Sequence, residues 1–185
     1  VITIGGDGGG LDDLMGFTAL GRHKETRKWL SWSHAWVHDD VLELRKEIAP
    51  RLQDLADNGE LTIIENSGDD CRGFAAICKQ IYDSGKFSVI GLDPLKRGIL
   101  LESCVEAGIP DEFIIGIPQG YKLASYAEIT ERKLSEGVLW HANQPLMDWC
   151  VGNAQAEVKG NNTLITKQAS GKSKIDPLIA LFNAC

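Results

Sequence analysis

The chain has 185 residues, of which 43% are hydrophobic and 24% are charged, and it contains 20 glycines. This composition excludes a disordered or collagen-like chain and fits a single domain large enough to fold without disulfides or a structural metal. The formal charge of −7 disfavours a free-standing nucleic-acid-binding protein, because affinity for phosphates comes mostly from lysine and arginine.

No apolar stretch approaches the roughly 18 uninterrupted residues of a membrane helix, and no basic leader opens the chain. We therefore predict neither a membrane span nor a signal peptide. The cysteines are scattered without a Cys-x-x-Cys pair, a pattern typical of reduced thiols in a cytoplasm. The chain starts with Val1 inside a strand-like run, so we expect a fragment of a longer protein.

The first third of the chain predicts three strands joined by short turns. Apolar runs cover residues 1–4, 14–20 and 28–37, with glycine-rich or polar segments between them. Short connections of this kind imply an antiparallel meander.

Alternating helices and strands are predicted to follow. A helix over 40–58 should begin with a capping box and kink at Pro50. The continuous apolar run over 87–92 is typical of a parallel strand covered on both faces. The pattern therefore predicts an α/β fold, a mixed sheet that joins the meander to parallel strands, with helices on both faces. The other predicted elements are strands over 61–64, 112–117 and 163–165 and helices over 69–84, 94–107, 121–136, 146–156 and 177–185.

Three aspartates stand at predicted strand ends and helix starts. Asp7 leaves the first strand within a run that holds five glycines, Asp93 ends the apolar strand, and Asp176 opens the last helix. If these two strands are neighbours, their ends bring Asp7 and Asp93 together, and the last helix can deliver Asp176 beside them. The sequence thus predicts an acidic cluster.

Such a cluster predicts divalent metal ions. Carboxylates about 4 Å apart repel by roughly 4 kcal/mol per pair at an effective dielectric constant of about 20, so they need cations or raised pKa values. Carboxylates suit Mg²⁺ or Mn²⁺, and two such ions about 4 Å apart activate water and stabilise the leaving oxygen in phosphodiester cleavage.

Each aspartate also has a simpler interpretation. Asp-Pro commonly starts a helix, so Asp93 and Asp176 could be helix caps. A glycine-rich hairpin after Asp7 could instead cradle a phosphate through its backbone. Asp13 could be a further metal ligand or a solvated turn residue, and Asp12 fits the turn better.

Other polar residues are weaker candidates. Lys167 and Lys174 precede Asp176 and could contact a DNA backbone, or could be ordinary solvated lysines. His34 and His38 are spaced like metal ligands on a helix but lie in a predicted strand, which favours exposed or hydrogen-bonded histidines.

In their order along the chain, several motifs together resemble one known family, the nuclease domain of the large terminase subunit of tailed bacteriophages and prophages. The resemblance runs nearly end to end. The motifs that carry it include Gly6-Asp7 with Asp12-Asp13-Leu14, Trp32-Ser33-His34-Ala35-Trp36, Ile90-Gly91-Leu92-Asp93-Pro94, and Lys174-Ile175-Asp176-Pro177.

This resemblance implies a ribonuclease H-like fold for residues 1–185 and a metal-dependent endonuclease that cuts concatemeric double-stranded DNA with two ions, Mg²⁺ or Mn²⁺. Asp7, Asp93 and Asp176 match the metal-binding acids of the family, with Asp7 expected to bridge both ions. Asp13 matches a family acid near the site.

The resemblance also implies partners and a location. Family members carry an upstream ATPase motor domain and work with a portal and a small terminase subunit, in the cytoplasm of an infected or lysogenic bacterial host. Because this chain is negatively charged, part of the binding to DNA would come from these partners.

Two other functions remain open. Asp7-Gly8-Gly9-Gly10 also resembles the first phosphate loop of the actin and sugar-kinase superfamily, although a second such motif and an adenosine loop are missing from the sequence. Alternatively, the domain is a non-catalytic docking module of the packaging machinery.

Overall fold

The computed structural model describes residues 1–8, 12–95, 97–159, 162–168 and 173–185. Strands and helices alternate along most of this length. The strands are β1 (Ile2–Gly8), β2 (Met15–Arg22), β3 (Trp29–His38), β4 (Leu61–Ile64), β5 (Phe87–Leu92), β6 (Ile114–Gly116), β7 (Leu139–His141), β8 (Ala154–Lys159) and β9 (Asn162–Lys167). The helices are α1 (Asp39–Leu44), α2 (Ala49–Asp57), α3 (Asp69–Asp83), α4 (Arg97–Glu106), α5 (Ala124–Ser135), α6 (Pro145–Asn153) and α7 (Asp176–Ala184).

A seven-stranded mixed sheet organises the described part of the chain. Its order is β4-β3-β2-β1-β5-β6, and β7 pairs with the other half of β3. The strands β1, β2 and β3 form the expected antiparallel meander, whereas β4, β5, β6 and β7 pair in parallel with their neighbours. The predicted α/β class is therefore confirmed.

The pairing of β1 with β5 decides where the site lies. The two strands are parallel, and Gly6 lies opposite Leu92. Asp7 and Asp93, the next residues, therefore lie at the same edge of the sheet. This is the arrangement expected if the two strands are neighbours.

Helices cover both faces of the sheet, as predicted. On one face α3 and α4 enclose an aromatic core around Phe17, Trp36 and Phe74. On the other face α2, α6 and α7 enclose a second core that includes Leu52, Leu146 and Phe182. No described helix has the length and apolarity needed to cross a membrane.

The helix α7 lies unusually close to the sheet because glycines face it. A Cβ on Gly5 would lie 1.8 Å from the carbonyl oxygen of Ala180, and one on Gly16 would lie 2.4 Å from the carbonyl carbon of Asp176. Part of the glycine enrichment around Asp7 thus allows another backbone to approach closely. Gly9 and Gly10 lie outside the described residues.

Gly5→Ala is therefore expected to destabilise the domain by about 3 kcal/mol or more, since neither backbone can move away without breaking the sheet or the helix. Gly152→Ala is a matched control, because a Cβ there meets nothing within 4 Å. In a helix this exchange should be neutral or stabilise by up to about 1 kcal/mol. Urea unfolding followed by circular dichroism measures both changes. Equal effects at the two positions would contradict the close packing of α7.

Several predicted boundaries were wrong. The helix expected over 40–58 is two helices, and Pro50 lies in the first turn of α2 rather than at a kink. A first-turn proline is favourable because its missing N–H would have no helical partner there. The helix expected over 146–156 ends at Asn153, since the chain pairs as β8 with β9 beyond it. The short strand β7 was not predicted.

Candidate metal centre

One cavity of about 410 Å³ collects most of the residues singled out in the sequence. Asp7 and Asp93 reach it from the ends of β1 and β5, and Asp176 reaches it from the first residue of α7. Asp13 and Lys167 also line it. Four carboxylates from four separate segments thus share one cavity with a lysine.

Asp176 is the most buried of these acids, with 2% of the residue exposed. A Cβ on Gly8 would lie 3.0 Å from its Oδ1, so the carboxylate lies against the backbone that follows Asp7. Its Oδ2 is buried and has no hydrogen-bond partner among the described residues. No side-chain hydrogen bond caps α7 in the described structure, so Asp176 is not a helix cap here.

Asp93 differs from Asp176 in that one of its carboxylate oxygens is bound within a local turn. Its Oδ1 accepts a hydrogen bond of 2.9 Å from the backbone N–H of Leu95, which closes a local turn. One oxygen of Asp93 therefore closes a turn ahead of α4, which begins at Arg97, while the residue also lines the acidic cavity.

The acids at this cavity have opposite pKa shifts. Burial, and then the neighbouring charge of Asp13, raises the pKa of Asp176 well above its usual value, and the charge of Asp7 adds to this. Burial would also raise the pKa of Asp13, but hydrogen bonding and charge from Lys167, together with the charge of Lys174, outweigh it and lower that pKa. The cavity therefore holds one firmly ionised acid beside one that resists ionisation.

Two lysines supply the positive charge. Lys167 Nζ donates to Asp13 Oδ1 and Oδ2 at 2.9 and 2.7 Å and lies 3.8 Å from Asp176 Oδ1. Lys174 Nζ lies 3.3 Å from Asp13 Oδ1 and donates to the carbonyl oxygen of Asp12. Lys174 is 4% exposed, so it is not the solvated lysine that the sequence suggested. DNA contact by either lysine stays a prediction.

Asp12 is held outside the cavity. Its carboxylate forms an ion pair with Arg45, and the hydrogen bond from that guanidinium, opposed only in part by burial, lowers the pKa of Asp12. This agrees with its interpretation as a turn residue.

The histidines predicted to be exposed or hydrogen-bonded are so. His34 Nε2 lies 2.9 Å from the hydroxyl of Thr62, and His38 Nδ1 accepts from the backbone N–H of Asp40 at the start of α1. Together with Asp39 and Asp40, His38 forms the one set of three potential metal-ligating side chains within 4.8 Å of one another in the described part of the chain. Among the described residues, no three of the carboxylates at the cavity lie within 4.8 Å of one another.

A polar relay that the sequence did not reveal positions the end of β1. Gln119 Nε2 donates to Asn183 Oδ1 at 2.9 Å, and Asn183 Nδ2 donates to the carbonyl oxygen of Gly6 at 2.9 Å. Asn183 is on α7, so this relay ties the residue before Asp7 to the helix that carries Asp176. No local motif marks these residues, because they are 64 and 177 positions apart.

The residues present fit a hard divalent cation. Four carboxylates offer only oxygen ligands, which Mg²⁺ and Mn²⁺ prefer. The buried Asp176 Oδ2 is a strong acceptor without a hydrogen-bond partner among the described residues, and such atoms require an explanation in a folded protein. A metal ligand role explains it.

Comparison with known proteins gives a consistent result. No model of a known protein family matches the chain. The terminase large subunit of Lactococcus phage p2 is 28% identical over 103 residues, which cover 51% of this chain and 18% of that protein.

Solved structures match over nearly the whole chain. The large terminase of bacteriophage HK97 superposes with a TM-score of 0.81 at 17% identity, covering 99% of this chain and 38% of that chain. The large terminase nuclease of thermophilic phage G20c gives a TM-score of 0.61 at 13% identity, covering 100% and 80%. A structure of the G20c nuclease with bound magnesium gives 0.57 at 12% identity, covering 100% and 79%.

The fold is therefore ribonuclease H-like, the fold that these solved terminase structures share. In sequence the chain is similar to a bacteriophage large terminase subunit, and in fold it is similar to two solved ones, of which the G20c structure is of the nuclease. It spans only 38% of the HK97 chain and 18% of the phage p2 protein.

Proposed function

We propose that this chain is the metal-dependent endonuclease domain of a DNA-packaging terminase and that it cuts double-stranded concatemeric DNA. The observation that supports this most is the convergence of Asp7, Asp93 and Asp176 on one cavity, with a buried Asp176 oxygen that has no hydrogen-bond partner among the described residues. A nuclease of the same fold has been solved with magnesium bound.

Asp7, Asp93 and Asp176 would hold two divalent ions, Mg²⁺ or Mn²⁺. When bound, such ions lower the pKa of water and neutralise charge that develops on the phosphate. The reaction then needs no side-chain base to activate the water, and the protein's contribution is to position the ligands of the ions. The Gln119 and Asn183 relay holds the β1 end that carries Asp7, and α7 holds Asp176.

Asp13 has a different part in this proposal. Two lysines already neutralise it, and its lowered pKa keeps it ionised. It would hold the two lysines in the metal-free protein and contribute charge to the ions when they bind, while the other three acids supply most ligand atoms.

The domain would work as part of a longer large subunit. Its match to 38% of the HK97 large terminase supports this. An upstream ATPase motor domain, a portal and a small terminase subunit would then hold the DNA while this domain cuts it, in the cytoplasm of an infected or lysogenic bacterium.

Supercoiled plasmid tests the proposal directly. We expect nicked and linear products with Mn²⁺ or Mg²⁺ and none with EDTA, because the carboxylates alone cannot neutralise the charge that develops on phosphorus. Cleavage that persists in EDTA would contradict the metal-dependent mechanism.

If the domain is instead a non-catalytic docking module, its acidic cluster has no metal-binding role. Such a module should show no saturable binding of Mn²⁺ in calorimetry, whereas the nuclease should bind the ion saturably without DNA.

Calorimetry with ATP tests the kinase-like alternative. Saturable ATP binding would support that alternative.

A further inference from the structure

Lys167 lines the acidic cavity, and its ammonium group faces two of the cavity acids although its side chain is 39% exposed. It contacts both oxygens of Asp13 and lies 3.8 Å from Asp176 Oδ1. The Asp13 side chain is 26% exposed and that of Asp176 is 3% exposed, so water reaches the contact with Asp13 while the Asp176 carboxylate is shielded from it. Lys167 is the last residue of β9, so a strand outside the main sheet delivers this charge.

Lys167 forms its ion pairs with acids of the proposed metal site. It pairs with Asp13 at 2.7 Å and with Asp176 at 3.8 Å. The acids that it contacts are the same acids expected to bind metal. The metal-free cavity is therefore already lined by a lysine that pairs with its acids.

A divalent ion and this ammonium group compete for the same oxygens. An ion bound to Asp13 or Asp176 at the usual 2.0–2.1 Å of Mg²⁺ would place like charges side by side if Lys167 stayed where it is.

We propose that Lys167 is an internal counter-ion that stabilises the metal-free cavity and must leave its position when divalent ions bind. This inference rests on the proposed metal site. In the metal-free protein the lysine offsets repulsion among the acids, and on metal binding its charge becomes available to a phosphate at the rim. The affinity for metal is therefore lower than four bare carboxylates would give.

Lys167→Met removes the charge and keeps most of the apolar stem. In EDTA we expect its thermal midpoint to fall by a few degrees, because the acids lose their counter-ion. In calorimetry without DNA we expect Mn²⁺ to bind about tenfold or more tightly than to the unsubstituted chain. Lys167→Arg, which keeps the charge, should retain the original Mn²⁺ affinity within a factor of about three.

Lys79→Met is the matched control. Lys79 forms an ion pair with Asp83 on α3, and neither residue lines the acidic cavity. This variant should leave the Mn²⁺ affinity unchanged, so a change seen there would reveal a general effect of net charge.

The outcomes separate this inference from the proposed function. If the unsubstituted chain binds Mn²⁺ and Lys167→Met binds it equally or more weakly, the counter-ion role is wrong and the metal site stands. If only Lys167→Met binds, the counter-ion role is supported in its strongest form. If neither chain binds Mn²⁺, the proposed function and this inference both fail.

Discussion

Asp7→Asn is expected to slow cleavage of plasmid DNA in Mn²⁺ by about 10³-fold or more while leaving the fold intact. Asp7 is the next-to-last residue of β1, one of the two central strands of the sheet, and it lines the acidic cavity. Its charge acts on both Asp176 and Lys167. Replacing it should therefore weaken the binding of the proposed ions.

The physical basis of this effect is the loss of one charge and one ligand atom at nearly constant volume. Metal ions contribute several kcal/mol to stabilising charge in phosphoryl transition states. Losing about 4 kcal/mol of this stabilisation corresponds to about 10³-fold in rate. Circular dichroism and the thermal midpoint should show that the variant is folded.

Asp54→Asn is the control for this experiment. Asp54 is exposed on α2 and far along the chain from the acidic cavity, and the exchange is chemically the same. Its cleavage rate should equal that of the unsubstituted chain. A rate for Asp7→Asn within tenfold of the control would exclude Asp7 as an essential metal ligand.

Asp176→Asn is expected to have two opposite effects on stability. In EDTA at pH 8 it should stabilise the domain by about 1–3 kcal/mol, because it removes a carboxylate that is costly to bury. In the presence of saturating Mn²⁺ it should lose the stabilisation that the unsubstituted chain gains. At 100 times the dissociation constant that gain is about 2.7 kcal/mol.

The pH dependence follows from the raised pKa of Asp176. Burial and then Asp13 raise this pKa above the unfolded value of about 3.9, so between the two values the folded state holds a proton that the unfolded state has lost. The stability contributed by the protonated acid is present below the unfolded pKa and is lost as pH rises through the folded pKa. Asparagine mimics the protonated acid, so the advantage of the variant should be small near pH 4 and grow with rising pH.

Thermal unfolding between pH 4 and pH 8, with EDTA and with Mn²⁺, measures both effects. Asp148→Asn, at an exposed position in the first turn of α6, should change neither the pH profile nor the response to metal. An Asp176→Asn chain that is less stable than the unsubstituted chain at pH 8 would show that Lys167 more than offsets the cost of burying this acid. A variant that still gains full stability from Mn²⁺ would remove Asp176 from the proposed ligands.

Local patterns in the sequence were enough to find most elements. The bounds of β4 and β5 agree with the predicted strands, because apolar runs of this length and composition have few alternatives. Helix α3 was predicted to within one residue, since its apolar period and the following glycine act locally. Strands β7 and β8 were missed, because their sequences gain a strand conformation only from their partners.

The candidate site was predictable only in part. Asp7, Asp93 and Asp176 could be named because strand ends and Asp-Pro junctions are visible in the sequence. Asp7 and Asp93 come close together only because β1 pairs with β5. This pairing could be assumed from the sequence but could not be derived from it. The relay of Gln119 and Asn183 has no local signal, since its members meet only after the chain has folded.

The sequence by itself determined the α/β class, the positions of the acids in their elements and the preference of those acids for hard cations, because these properties depend on neighbouring residues and on side-chain chemistry. Only the tertiary structure decided that Asp176 is buried while Asp93 closes a turn, and that Lys167 pairs with an acid 154 positions away. Burial and charge pairing depend on the packing of distant segments, and the close approach of α7 to the sheet brings those segments together here.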